Sequence, residues 1–362
     1  MKILHITLIN NCNIGGMLKE YFVENKNIQY DVLSVFRNEF NFRDDICLNL
    51  KWYPKKGFNR KIQKSILGNA KRYTDYTQRS KDQIYYEDLS GKFYKTLFFR
   101  LRDTINRSLI KKAIKQYDLL GYDFYIYETG APLSRDFYFE KLLVKNNKKF
   151  MNWYIGLDVR IRGIHKFMDE NAVISVTGEL DHLTLKPELK YMFGPFNNKL
   201  SEKYITNNND KLQIVHAPRN RIFKGTDKII DLINQLRVTH GHLFDFYLLE
   251  NMTFDEVIEV KRKCDLLIEQ IGDKGGWGYG FNSLEAFALG LAVATEMNEH
   301  YEKFLSDHPF ININENNFKE KIVEVIKDRE LLNRKKEEGR EWLKKTHSVE
   351  NAANRILEIY NS

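Results

Sequence analysis

The sequence predicts an α/β protein made of two doubly wound domains. Three observations carry this. Short apolar runs alternate with amphipathic helical patterns along the whole chain. The apolar runs are mostly continuous, as in parallel strands covered on both faces, rather than alternating. And 362 residues are too many for one ordinary domain but comfortable for two.

Taken in order, residues 2–8, 30–35, 123–127, 150–155 and 172–176 read as strands of a first sheet. Residues 211–217, 244–249, 264–269 and 291–295 read as strands of a second. Helical patterns lie between them at 17–24, 134–145, 226–236, 254–263, 282–289 and 318–327, and the piece from Asp328 onward is charged and helical. A polar cluster (Asn197, Asn198, Asn207, Asn208, Asn209) marks the seam near 194–208. The expected division is 1–196, with a basic helical insertion at about 56–118, then 197–345, then a closing helix at 346–362.

Apolar content of 43% supports a sizeable core, and no apolar run approaches the roughly 20 residues that span a bilayer. The start, MKILHITLINNC, lacks a small-residue cleavage site and reads on into a strand, so no signal peptide is expected. Three widely spaced cysteines (Cys12, Cys47, Cys264) fit no metal pattern and suit a reducing cytoplasm. The net charge of +8 is uneven, because residues 54–115 carry 17 Lys/Arg against 5 Asp/Glu, interleaved with aromatics. Such a face suits anionic lipid or a nucleic-acid backbone; the plainer reading is a solvated helical face.

Three constellations bear on chemistry. Gly15-Gly16 falls between the first strand and the first helix, where paired glycines let a sugar or phosphate approach the backbone. The spacing is not G-x-G-x-x-G, so a nicotinamide dinucleotide is not expected. The second constellation, HAPRNRIFKGTD (216–227), puts Arg219, Arg221 and Lys224 at the carboxyl end of a strand. Clustered cations there suit a diphosphate: arginine offers a fork of donors, lysine a point charge. The third is KRKCDLLIEQIGDKGGWGYGFNSLEAFALGLAVAT (261–295), a strand that runs into five glycines and then a helix start. Gly278, Gly280 and the helix amide groups favour an anion, Glu285 can accept hydrogen bonds from ribose hydroxyls, and Trp277 and Tyr279 can form a stacking wall.

Together, HAPRNRIFKGTDKIIDLI and CDLLIEQIGDKGGWGYGFNSLEAFALGLAVAT resemble the donor half of retaining glycosyltransferases of the GT-B fold, the family 4-like group (glycosyl transferases group 1). GREWLKKTHSVENAANRILEIY is similar to that family's closing helices. The likeness implies two Rossmann-like domains, with a C-terminal helix crossing back to the first. It implies a nucleotide-sugar donor, UDP- or GDP-linked, held mainly by the second domain, and no obligatory metal or other cofactor. Arg219 and Lys224 would then act on the diphosphate, with Arg221 a rival, and Glu285 on the ribose. Gly15, Gly16, Gly278, Tyr279, Gly280, Asn282 and Ser283 would help to hold the donor. Asp158, in YIGLDVRIRG, would orient an acceptor hydroxyl, with Arg160 and Arg162 binding the acceptor; the structural alternative is that Asp158 pairs with one of these arginines. The sequence departs from the family in two places. Trp277 stands where many members have a glutamate eight residues before Glu285, and Ile155 stands where related sequences often have histidine.

The expected activity is transfer of a hexosyl or pentosyl group to an acceptor hydroxyl with retention, the acceptor a cell-surface or lipid-linked saccharide. The expected setting is the cytoplasm, with peripheral attachment to the inner face of the membrane through residues 54–115 as an option. Two alternatives stand beside this: a phage-type DNA glycosyltransferase acting on hydroxymethylated or otherwise modified bases, and a non-catalytic protein that binds nucleotide-sugars or nucleic acid.

Overall fold

The structure, a computed structural model, describes residues 1–10, 12–38, 42–51, 84–86, 93–156, 158–197, 199–200 and 210–362. Most of the basic 54–115 segment and of the insertion at 56–118 therefore lies outside the described residues, as do 201–209 and Asn198 in the polar seam. From the insertion, the helix Phe93–Gln116 is described. The chain divides into two compact units, Met1–Met192 with Ala352–Ser362, and Phe193–Asn351.

The first unit carries a seven-stranded sheet: β1 (Lys2–Ile9), β2 (Gln29–Phe36), β3 (Ile46–Cys47), β4 (Phe124–Glu128), β5 (Lys149–Tyr154), β6 (Ile174–Thr177) and β7 (Lys190–Tyr191). Every pairing is parallel and the order is β3-β2-β1-β4-β5-β6-β7, that of a doubly wound domain. All five residues of β4, FYIYE, are buried, which requires cover on both faces of the sheet. Much of the high aromatic content goes into this core. Tyr125 and Tyr127 pack with Phe139 and Phe150, and Phe22 stacks on Tyr30 at 5.1 Å. The helix Val349–Asn361 closes the chain, and its residues from Ala352 on belong to this unit. There Tyr360 packs edge-on against Phe124, and its carbonyl accepts from Lys149 Nζ at 3.1 Å.

The second unit has five parallel strands: β8 (Leu212–His216), β9 (Phe244–Leu248), β10 (Leu266–Ile268), β11 (Ala292–Thr295) and β12 (Ile311–Asn312). Their order is β12-β11-β10-β8-β9. The direction of winding reverses between β8 and β10, and in open parallel sheets ligands bind outside the carboxyl ends of the strands at such a switch point. Leu212, Ile214, Leu266, Ile268, Ala292 and Ala294 are buried in one core with the helices Thr226–His240 and Phe318–Lys327.

Three strands have no counterpart among the sequence expectations. Each of β3, β7 and β12 has two residues and forms an edge of its sheet, too short to show a period. Two expected boundaries are corrected. Gly15 and Gly16 lie inside the first turn of the helix Ile14–Lys26, not ahead of it, and Asn13 takes the left-handed conformation that starts that helix. The helix expected at 134–145 begins only at Tyr138, because Phe137 has φ of 56°, which interrupts a right-handed helix. Among the described residues no helix is long and apolar enough to cross a membrane.

Glu140 is buried behind Tyr127, accepting from the Leu133 amide at 2.8 Å and the Tyr127 hydroxyl at 3.2 Å. Burial pushes its carboxyl up to about 7. The folded state therefore holds the proton more tightly than the unfolded chain, and this contribution to stability is lost as pH rises from about 4.5 to about 7. Glu140→Gln removes the titration. Urea unfolding should show the variant gaining on the wild type by up to about 3 kcal/mol between pH 4.5 and pH 8; a constant difference across that range would contradict the assignment.

Candidate active site

The switch point of the second unit is built from three segments that follow β8, β10 and the glycine run. After β8 the chain turns through Ala217–Asn220 into the short helix Arg221–Lys224. Asn220 caps that helix by accepting from the amides of Ile222 (3.0 Å) and Phe223 (3.1 Å). Gly225 ends it at φ of +62°, and a methyl group there would lie 2.1 Å from the carbonyl oxygen of Ile271. Only glycine lets the basic loop lie this close to the strand end after β10. The Ile271 amide in turn donates to the Lys224 carbonyl at 3.2 Å. Beneath, His216 Nδ1 donates to the Ile268 carbonyl (2.7 Å) and Nε2 accepts from the Thr226 hydroxyl (2.9 Å). Burial holds this imidazole down near 4, so it is a neutral clamp between β8, β10 and the following helix.

Lys224 is the centre of the arrangement. Its ammonium donates to Glu269, directly after β10, and to Gln270 Oε1 at 3.0 Å. A methyl group on Gly280, the cap of the helix Phe281–Ala288, would lie 3.8 Å from Lys224 Nζ and 3.7 Å from the Glu269 carboxylate. The ammonium thus sits at the amino end of that helix, beside the amide groups of its first turn. Glu269 has no exposed side-chain surface. Its second oxygen accepts from Asn282 Nδ2 (2.8 Å) and Ser283 Oγ (2.9 Å). Burial alone would push this carboxyl up; Lys224 and the hydrogen bonds from Ser283 and Asn282 outweigh it and hold the group below the usual glutamate range. The network continues, for Lys261, also fully buried, donates to Asn282 Oδ1 (2.5 Å) and Glu285 Oε2 (2.6 Å).

Of the expected donor residues, Lys224, Gly280, Asn282, Ser283 and Glu285 come together here. Asn282 and Ser283 spend their side chains on Glu269 and Lys261. Glu285 commits one oxygen to Lys261. Arg219 stands exposed in the same loop. Arg221 is turned to Glu250 (2.6 Å) and Asp227, so its charge is answered within the loop region. Gly278 lies behind, its carbonyl accepting from Thr295 Oγ1 at 2.7 Å. Tyr279 packs among Phe310, Trp342 and Tyr301, and its hydroxyl donates to His347 Nε2 at 2.8 Å while Nδ1 donates to the Gly194 carbonyl. Trp277 stacks on His300, 5.3 Å between centroids. Glu269 was absent from the sequence expectations. The available signal was a carboxylate closing an apolar run at the carboxyl end of a parallel strand, where it must find a cation.

Gly15, Gly16, Asp158, Arg160 and Arg162 lie in the first unit. A methyl on Gly15 would meet Val32 at 3.0 Å and His5 at 3.3 Å, so this glycine lets the helix settle onto β1 and β2. His5 is buried below it, between the Tyr30 hydroxyl and Glu128, each at 2.8 Å. After β5, residues Asp158–Arg162 form a π-helical turn. Arg160 is buried and saturated, donating to Asp181, to Glu179 (2.5 Å) and to the Gly156 carbonyl (2.7 Å). Burial opposes its charge, but the two carboxylates raise it further above the usual arginine value. This arginine holds the β5 and β6 termini rather than presenting a free fork. Arg162 donates to the Thr129 carbonyl and lies 3.9 Å from Asp158. Asp158 Oδ2 accepts from the Ile155 amide at 3.1 Å, and burial pushes its carboxyl up to about 7 despite Arg162. A cavity of about 450 Å³ lined by Lys2, Lys19, Gln29 and Asp31 lies at the amino ends of β1 and β2, the wrong end of the strands for this chemistry.

No family profile matches the sequence, and no curated protein matches it. Solved structures do. Sucrose-phosphate synthase from Thermosynechococcus elongatus superposes with a TM-score of 0.62 at 12% identity, covering 100% of this chain and 98% of its own. An alpha-glucosyltransferase in complex with UDP and a 13-mer DNA containing an HMU base has a TM-score of 0.59 at 11% identity, covering 99% of both chains. UDP-GlcNAc 2-epimerase from Neisseria meningitidis, bound to UDP-GlcNAc, has a TM-score of 0.52 at 10% identity, again over 99% of both. The chain therefore has the GT-B fold, with two Rossmann-like domains. At these identities the likeness reaches the fold and not the reaction, since transferases and an epimerase share it.

The loop geometry has a direct test. Gly272 also has positive φ (+97°), but a methyl there would meet nothing within 4 Å. Gly225→Ala should therefore cost about 2 kcal/mol or more in urea unfolding, and Gly272→Ala only about 1 kcal/mol. Equal costs would show that the approach to Ile271 does not decide the loop.

Proposed function

We propose that this chain is a nucleotide-sugar-dependent glycosyltransferase whose second unit holds the donor. One observation carries the reading: the Lys224 ammonium stands at the amino end of the helix Phe281–Ala288, at the switch point between β8 and β10. A cation and a helix start converge there on a position fit for a diphosphate. The presence of UDP or a UDP-sugar in GT-B neighbours supports this choice of ligand.

In this mechanism the diphosphate lies against Lys224, Arg219 and the helix amides, and Glu285 accepts from the ribose. The bond from the anomeric carbon to the diphosphate oxygen breaks, and these cations stabilise the charge that develops on the leaving group. The acceptor hydroxyl attacks the same face of the anomeric carbon, giving retention. Its proton passes to the departing phosphate, so neither a protein nucleophile nor a metal is required. Asp158 orients the acceptor hydroxyl by accepting its hydrogen bond. An ionised Asp158 suits a saccharide hydroxyl, because a carboxylate accepts from hydroxyls. We place the reaction in the cytoplasm, with a cell-surface or lipid-linked saccharide as acceptor.

Mass spectrometry of donor hydrolysis decides the class. Incubation with UDP-, GDP-, ADP- and CMP-sugars should release one nucleotide slowly, in EDTA as well as without it. An isomerised sugar-nucleotide with no release would assign epimerase chemistry, and no turnover or binding would leave a non-catalytic protein. Salt-sensitive transfer to modified DNA, with none to saccharides, would replace the proposed acceptor. Lys224→Ala and Arg219→Ala should each lower turnover about 100-fold; unchanged rates in both would end the assignment. If ionised Asp158 orients the acceptor, kcat/KM should fall as pH drops through about 7, where its carboxyl takes up a proton. Asp158→Asn should abolish that limb and reduce activity by about tenfold or more.

A further inference from the structure

Glu269 carries a negative charge with no exposed surface, beside a position suited to an anion. Burying a carboxylate costs several kcal/mol unless it is fully paired, so its partners show what it does. One oxygen takes Lys224. The other takes the side chains of Asn282 and Ser283, in the first turn of the helix Phe281–Ala288. A single carboxylate therefore sets the ammonium and the helix start in register. Gln270 adds a second acceptor to Lys224 at 3.0 Å, while its amide donates to the Gly276 carbonyl of the glycine loop at 2.8 Å. A lysine ammonium has three donors. Two are spoken for, and one remains for a ligand.

We propose that Glu269 is a positioning residue for a diphosphate: it acts through Lys224, fixing the ammonium at the helix start so that its remaining N–H meets the phosphate. Being fully buried, it does not itself touch the ligand. This inference rests on the proposed reading of the site as a donor-diphosphate site. It differs from a plain structural role in one measurable respect. A carboxylate that only staples the fold affects every ligand of the domain alike, whereas one that aims Lys224 affects the diphosphate alone.

The test is calorimetric titration of the full chain with UDP and UMP, and likewise the guanosine and adenosine pairs. It compares wild type, Glu269→Gln, Glu269→Asp, Lys224→Ala and the double variant Glu269→Gln with Lys224→Ala, with the fold of each checked by circular dichroism. Glu269→Gln should lose about tenfold of the preference for diphosphate over monophosphate, the effect of one charge-assisted hydrogen bond, while monophosphate affinity stays within about twofold. Lys224→Ala should lose the same preference, and the double variant no more than either single one, because both act through one contact. Glu269→Asp keeps the charge but withdraws it by one methylene, and should fall between; if Glu269→Gln does not fold, this variant carries the test. An intact preference in Glu269→Gln or Glu269→Asp, or equal loss for both nucleotides, overturns the proposal. Loss in Glu269→Gln with none in Lys224→Ala overturns it too, since the effect would not pass through the lysine. A wild type that binds no nucleotide diphosphate removes the reading of the site and this inference together.

Discussion

The ion pair between Lys224 and the buried Glu269 is the constraint around which the second unit's site is arranged. Glu269 leaves β10 with no route to water, so its charge must be met inside the protein. Lys224 meets it from the loop after β8, and Asn282 and Ser283 from the helix after the glycine run. Three segments distant in sequence are thereby tied at one point. The surrounding features follow from the closeness this demands. Gly225 lies against the Ile271 carbonyl because a side chain would hold the basic loop away. Gly280 leaves room for both the ammonium and the carboxylate. Lys261 repeats the device one step on, where a buried ammonium holds Asn282 and Glu285. Positive and negative groups alternate along this chain of contacts, which keeps buried charge balanced while leaving an ammonium beside the helix amides.

The first unit uses its charges differently. Arg160 is enclosed by Asp181, Glu179 and the Gly156 carbonyl, so it fastens the ends of β5 and β6 and offers no donor fork. Asp158 has lighter support, from one backbone amide and an arginine 3.9 Å away, and its carboxyl remains poised near neutral pH.

Much of the fold was legible because buried parallel strands announce themselves as continuous apolar runs. FYIYE and LQIVH are buried at every position. The edge strands β3, β7 and β12 were not legible, since two residues have no period and their pairing is set by neighbours far along the chain. The site was half legible. Basic residues at the end of β8 and glycines after β10 carry their chemistry in their identity and order. What those side chains do with their charge depends on tertiary partners. Arg221 faces Glu250 and Asp227. The Tyr279 hydroxyl goes to His347, 68 residues away. Arg160 looked in sequence like an acceptor-binding cation and is held by carboxylates 19 and 21 residues on. Glu269 passed as the last residue of a strand, because its partner Lys224 lies 45 residues earlier.

On the proposed function, the switch point of the second unit receives a diphosphate on Lys224. The most direct measurement is a crystal structure of the protein soaked with the nucleotide diphosphate that binds it best. A phosphate oxygen should lie within hydrogen-bonding distance of Lys224 Nζ, at about 2.7–3.2 Å, facing the amides at the start of the helix Phe281–Ala288. Lys224 should keep its contact with Glu269 in that complex. A diphosphate seated elsewhere, with Lys224 and Glu269 paired and untouched by ligand, would contradict it.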